Sequence, residues 1–181
     1  MHAPVWEYGI TTIPGRRKTY FPRTLKSLRD AGFDAPRLFV DGDEDALSWK
    51  REFNCEVTCR YPAMKTRGHW MASMVELYFR NRRANVFAMF QDDIVVCRDL
   101  RKYLERCKLP DNGYFNLYTM PAPHQIELPK TFGWHASNQK GRGAVALVFT
   151  RDALMTLLTQ KHMIDNFQDT HLGDRNVDGG I

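Results

Sequence analysis

No stretch of this sequence is long and apolar enough to cross a bilayer as a helix, which needs about 20 residues. The opening residues, MHAPVWEYGI, lack the basic-then-apolar layout of a secretory signal. Internal repeats and low-complexity tracts are also missing, which excludes solenoid and disordered classes. Cysteine is scarce: four in 181 residues, at positions 55, 59, 97 and 107. Cys55 and Cys59 are four apart in an expected strand, so they share a face but lie too far apart to be bridged along it. No second ligand pair stands at zinc-finger spacing. These absences describe a soluble, cytoplasmic protein with free thiols.

What is present suits one domain with a real core. The chain is 43% hydrophobic and 26% charged, both ordinary for a globular protein. Its net charge is +5 and its pI about 9.1. That excess permits an anionic partner such as a nucleotide or nucleic acid, and equally a solvated basic surface.

VWEYGITTI (residues 5–13) is rich in β-branched and aromatic residues and reads as a strand ended by Pro14-Gly15. Thr19 is placed to cap a helix with Phe21, Leu25 and Leu28 on one face, Pro22 in its first turn and Gly32 at its end. RLFVDG (37–42) and CEVTCRYP (55–62) are the next strands, with an acidic loop after the first. GHWMASMVELYFRNRRA (68–84) is a helix whose Trp70, Met71, Met74, Leu77 and Tyr78 form a packing stripe. NVFAMF is apolar throughout, as expected of a central parallel strand covered on both faces. Asp99 is placed to cap a helix holding Leu100, Tyr103 and Leu104. GYFNLYT (113–119), a long irregular stretch, AVALVFT (144–150) and the helix RDALMTLLTQ (151–160) complete the order. Alternation of this kind predicts an α/β fold with a mostly parallel sheet, whose ligands bind beyond the carboxyl ends of the strands. Thr11, Thr12, Arg16, Asp41, Asp92 and Asp93 would gather there.

Asp92 and Asp93 follow the apolar strand directly, and Ile94, Val95 and Val96 return toward the interior. Adjacent carboxylates repel, and burial raises the cost of each charge. Either the pair opens a solvated loop, or a hard divalent cation offsets it. Mg²⁺ is usually held by one or two carboxylates together with substrate phosphates.

From GITTIPGRRKTYFPRTLKSLRDAGFDAPRLFVDG through FQDDIVVCRDLRKYLE to GRGAVALVFTRDALMTLL, the chain resembles a GT-A fold (Rossmann-like) glycosyltransferase. The resemblance implies transfer of a sugar from a nucleotide diphosphate donor, a UDP- or GDP-sugar, to an acceptor hydroxyl, with Mn²⁺ or Mg²⁺ as cofactor. Residues Thr11, Thr12 and Arg16 would line the nucleotide pocket. Asp41 would contact the base or ribose, and Arg67 would face the diphosphate. Asp93 would be the firmest metal ligand, with Asp92 beside it contacting metal, donor sugar or ribose. Gln91 stands where the family's acidic triplet usually begins, which removes one carboxylate. Each residue also has a plain alternative: Thr11 as a β-former, Arg16 as a solvated base, Asp41-Gly42 as a turn pair.

The resemblance places the acceptor near FGWHASNQKGRG, with Trp134 for stacking and Asn138 and Gln139 for hydrogen bonds to hydroxyls; an anchored loop is the alternative. An inverting transferase needs a general base, for which Asp178 is first choice and Asp174 second. The single domain 1–181 divides into a nucleotide-binding half (1–98) and an acceptor-side half (99–181). The chain stops just after Gly179-Gly180, where GT-A enzymes usually continue to a metal-binding histidine, so a C-terminal truncation is expected; His162 and His171 are the stand-ins. The acceptor is open, a glycan or a modified DNA base. A nucleotidyltransferase ranks lower, because TTIPGRRK has one glycine where a phosphate loop needs several. A binding module without turnover is the non-enzymatic alternative.

Overall fold

The computed structural model describes residues 3–110, 113–118, 134 and 144–165, the side chains of His162 and Asp165 excepted. Six strands form one sheet: β1 (Trp6–Thr12), β2 (Arg37–Asp41), β3 (Val57–Arg60), β4 (Val86–Gln91), β5 (Tyr114–Asn116) and β6 (Ala146–Thr150). Their spatial order is β3-β2-β1-β4-β6-β5. β1 to β4 run parallel, while β6 is antiparallel to both β4 and β5. The helices are α1 (Phe21–Asp30), α2 (Ala46–Phe53), α3 (Lys65–Arg80), α4 (Leu100–Leu104), α5 (Arg151–Leu158) and α6 (Lys161–Asp165). The fold is therefore α/β, a central and mostly parallel sheet flanked by helices, as the alternation of patterns predicts. One sheet takes strands from both halves of the chain.

Strand alternation sorts the core into two layers. Ile10, Leu38, Val40, Ala88 and Phe90 point to one face and meet Phe21, Leu25 and Leu28 of α1, Trp49 and Phe53 of α2, and Leu104 of α4. Phe39, Phe87 and Met89 point to the other and meet Trp70, Met71, Met74 and Leu77 of α3 and Leu154 of α5. β4 contributes to both layers, which is why its residues Val86 to Phe90 are all buried. Each large side chain so buried adds roughly 1.5–3 kcal/mol, and this places β1 and β4 at the rigid centre of the molecule.

Several local expectations need correction. The acidic loop after β2 leads into α2: Asp45 Oδ1 accepts the Ser48 N–H at 2.9 Å as a helix cap, and Asn54 ends the helix in the left-handed region. α3 starts at Lys65, three residues before its expected start. Tyr20, not Thr19, stands at the start of α1 and makes no side-chain cap; the Thr19 hydroxyl donates instead to the Arg16 carbonyl. Asp99 occupies the position before α4, but with positive φ and no capping bond. Cys55 lies outside β3, and all four cysteines are free. Burial pushes the Cys59 thiol up to about 11, helped by the nearby charges of Asp43 and Asp45. Val95 is exposed rather than returning to the core. Among the described residues no helix is long and apolar enough to cross a membrane.

Candidate functional site

β2 lies on one side of β1 and β4 on the other. The chain thus reverses its direction of travel across the sheet at the β1/β4 boundary. In open α/β sheets the crevice outside the carboxyl ends of such a strand pair receives ligands.

β1 ends at Thr12, and the chain turns at once into a 3-10 turn, Pro14–Arg16. Proline suits the first position, because its fixed φ matches the turn and its missing N–H would find no partner there. The turn brings Arg16 back over the rim of β4. Its Nη1 donates to Asp92 Oδ1 at 2.6 Å and to Asp93 Oδ2 at 2.9 Å. From the strand itself, the Thr12 hydroxyl donates to Asp92 Oδ2 at 2.5 Å. Asp92 is 2% exposed, so both oxygens of a buried carboxylate are satisfied, one of them by a charge. The Asp93 side chain keeps 34% of its surface open to solvent.

α1 fixes the acidic segment from behind. The Thr24 hydroxyl lies 2.7 Å from the carbonyl oxygens of both Asp92 and Ile94. Having one hydrogen, it satisfies them in turn. Ser27, one helical turn on, accepts the Val96 N–H at 3.3 Å and donates to the Thr24 carbonyl. These two buried hydroxyls escaped the sequence reading. Their signal was a polar pair three residues apart on the apolar face of a helix.

Burial works against the charge of Arg16, yet its hydrogen bond to Asp92 and the charges of Asp92 and Asp93 more than offset it, holding its pKa above the usual guanidinium value. Two carboxylates and one guanidinium leave the cluster with a net charge of −1. The ring of Tyr20, an exposed residue, lies 5.7 Å from the guanidinium carbon.

The other expected residues stand as follows. The Thr11 hydroxyl is 3.4 Å from the Phe90 carbonyl and on the opposite sheet face from Thr12. Gln91 Nε2 lies 3.4 Å from the Ala144 carbonyl. Asp41 ends β2 in a buried position, and its two oxygens accept the N–H groups of Met64 and Lys65 at 2.8 and 2.9 Å. It therefore caps α3. The His69 Nδ1 is 3.6 Å from Asp41 Oδ1, and His69 Nε2 is 3.2 Å from the Phe39 carbonyl, which requires its proton there. Burial pushes His69 down to about 4 despite the opposing pull of Asp41, so the ring is neutral at pH 7. Arg67 is half-buried in the first turn of α3, with Nη2 3.9 Å from the Met163 sulfur. Trp134 stacks on Phe115 of β5 at 4.0 Å between ring centroids and on Tyr103 at 6.2 Å, and its Nε1 donates to Cys107 Sγ. Asn138, Gln139, Asp174, Asp178, His171 and the His162 side chain lie outside the described residues.

Among the described residues, no group of three or more His, Cys, Asp or Glu side chains could hold a metal ion. The residues present fit a hard cation held by one protein carboxylate, with phosphate and water oxygens completing its shell. Asp93 meets that description; both Asp92 oxygens are already engaged.

No protein-family model matches the chain, and no curated protein matches it in sequence. The crystal structure of S. aureus TarS aligns with 55% of this chain and 18% of its own, at 14% identity and a TM-score of 0.41. That likeness carries no argument about the chemistry.

Proposed function

We propose that this protein is a glycosyltransferase that moves a sugar from a nucleotide diphosphate donor to an acceptor hydroxyl. One observation carries the reading: Thr12, Arg16, Asp92 and Asp93, from two strands and a turn up to 81 residues apart in the sequence, converge at the topological switch point of the sheet. An arginine and a solvent-facing carboxylate in a crevice suit a pyrophosphate, the arginine directly and the carboxylate through a divalent ion. The resemblance to GT-A enzymes supplies the rest of the reading.

In this account Arg16 binds donor phosphate oxygens, and Thr12 and Asp92 keep its approach aligned. Thr11, Asp41 and Arg67 belong to the nucleotide side, Asp41 by holding the start of α3 in place. Mn²⁺ or Mg²⁺, when bound at Asp93, supplies charge stabilisation for the departing diphosphate. Trp134, Asn138 and Gln139 are assigned to the acceptor, and Asp178 or Asp174 to removal of the acceptor proton. The donor is a UDP- or GDP-sugar, and the acceptor a glycan or a modified DNA base.

Calorimetric titration with UDP and with GDP, each with and without Mn²⁺, tests this. Binding of one of the two that tightens with Mn²⁺ is the expected result. Absence of binding for both, or binding indifferent to the metal, would overturn the metal-dependent form.

A further inference from the structure

Nearly all the cation-binding capacity of the acidic pair is taken up from within the chain. Arg16 Nη1 sits between Asp92 Oδ1 and Asp93 Oδ2, at distances of full hydrogen bonds to each. A divalent ion on Asp93 would stand in the same small volume. At 4 Å, two positive charges, one of them double, repel by several kcal/mol even at an effective dielectric of about 20. Guanidinium and metal therefore exclude one another. The two partners of Arg16 differ in what they would lose. Asp92 is buried and keeps the Thr12 hydroxyl if Arg16 leaves, whereas Asp93 is open to water. Arg16 itself is able to move, since its side chain is 37% exposed and comes from a three-residue 3-10 turn.

We propose that Arg16 is the resident counter-cation of the acidic pair, and that a divalent ion binds Asp93 only by displacing its guanidinium. This rests on the glycosyl-transfer reading for the identity of the ion, and on the geometry for the exchange. Arg16 holds Asp92 and Asp93 in place while the site is empty of metal. Once displaced, its fork of donors remains at the rim, free to take phosphate oxygens, which it pairs with bidentately. Metal and guanidinium thus come to flank one anion after having competed for one carboxylate. Free metal alone is held weakly, because binding it breaks two charge-assisted hydrogen bonds.

The test is a Mn²⁺ titration by calorimetry of the full chain, its Arg16→Gln variant, and Asp93→Asn in both backgrounds. Arg16→Gln is expected to bind Mn²⁺ at least ~10-fold more tightly than the parent, given the repulsion removed. Asp93→Asn is expected to abolish that binding in both backgrounds. Equal or weaker binding by Arg16→Gln overturns the exchange and leaves the metal reading intact. Binding that survives Asp93→Asn overturns the exchange by placing the ion elsewhere. No binding by any form overturns the exchange and the metal reading together. A second measurement needs no variant to fold. The Arg16 Nε–H signal of the ¹⁵N-labelled parent is expected to shift on titration with diamagnetic Mg²⁺, and a signal unmoved at saturating Mg²⁺ counts against displacement.

Discussion

Asp41 and Asp92 make an instructive pair. Both stand at the carboxyl ends of parallel strands that flank β1, and both are buried. Each carboxylate has both oxygens satisfied. Asp41 is held by two backbone N–H groups at the start of α3, which cannot leave without unwinding the helix. Asp92 is held by the side chains of Thr12 and Arg16, and Arg16 can rotate away. A buried carboxylate fixed by backbone is part of the scaffold. One fixed by a mobile arginine is exchangeable, and exchangeability is what a ligand site needs. Position along the strand does not distinguish them; the kind of partner does.

The sharpest way to break that contrast is to neutralise each aspartate in turn. Asp92→Asn should reduce nucleoside diphosphate affinity, read by calorimetry, by two orders of magnitude or more (about 3 kcal/mol), since Arg16 loses its anchor. Asp41→Asn should leave that affinity within a few-fold at temperatures where the protein is folded. Equal losses in the two variants would erase the distinction.

Next in size is a pH effect confined to the Asp41 region. His69 is neutral when folded, with a pKa near 4 against 6.5 unfolded. Between these values the unfolded chain binds more protons, so stability is full above about pH 6.5 and falls as pH drops toward 4, by at most about 3 kcal/mol. Thermal melts from pH 7.5 to 4.5 should show a declining midpoint, with a shallower slope in His69→Gln. Identical slopes would mean that another group carries the acid sensitivity.

Asp41→Asn itself should lower stability by about 1–2 kcal/mol, the usual cost of a weakened helix cap, giving a Tm drop of roughly 2–8 °C for a chain of this size. Smallest is Thr24→Val, nearly the same shape without the hydroxyl. Loss of its bond to the Asp92 and Ile94 carbonyls should cost about 1 kcal/mol and weaken nucleotide binding several-fold, because the acidic segment is no longer pinned to α1. Unchanged binding with reduced stability would make Thr24 purely structural.

Much of this frame was legible beforehand. The continuous apolarity of residues 86–90 marked β4 as central, and the stripe through Trp70, Met71, Met74 and Leu77 marked α3. The gathering of Thr12, Arg16 and the two aspartates at the strand ends followed from the α/β order. α2 was not legible, because only Trp49 and Phe53 of its eight residues are buried and its capping Asp45 looked like one more acid in a loop. The clamp of Arg16 on both carboxylates could not be read either. It joins groups 76 and 77 residues apart through the rotamer of a half-exposed side chain, and neither periodicity nor turn chemistry encodes that. Nor did the chain announce the contrast between the aspartates: Asp41-Gly42 and Asp92-Asp93 both read as strand ends, and only the partners set them apart.

The most direct test of the central claim is to map where a nucleoside diphosphate and Mn²⁺ bind together. In amide spectra of the ¹⁵N-labelled protein titrated with UDP or GDP and a trace of Mn²⁺, paramagnetic broadening should begin at residues 12–16 and 92–94 and spare Met64 and Lys65 until higher metal. Broadening centred elsewhere, or spread evenly over the surface, would contradict a donor seated at the β1/β4 crevice.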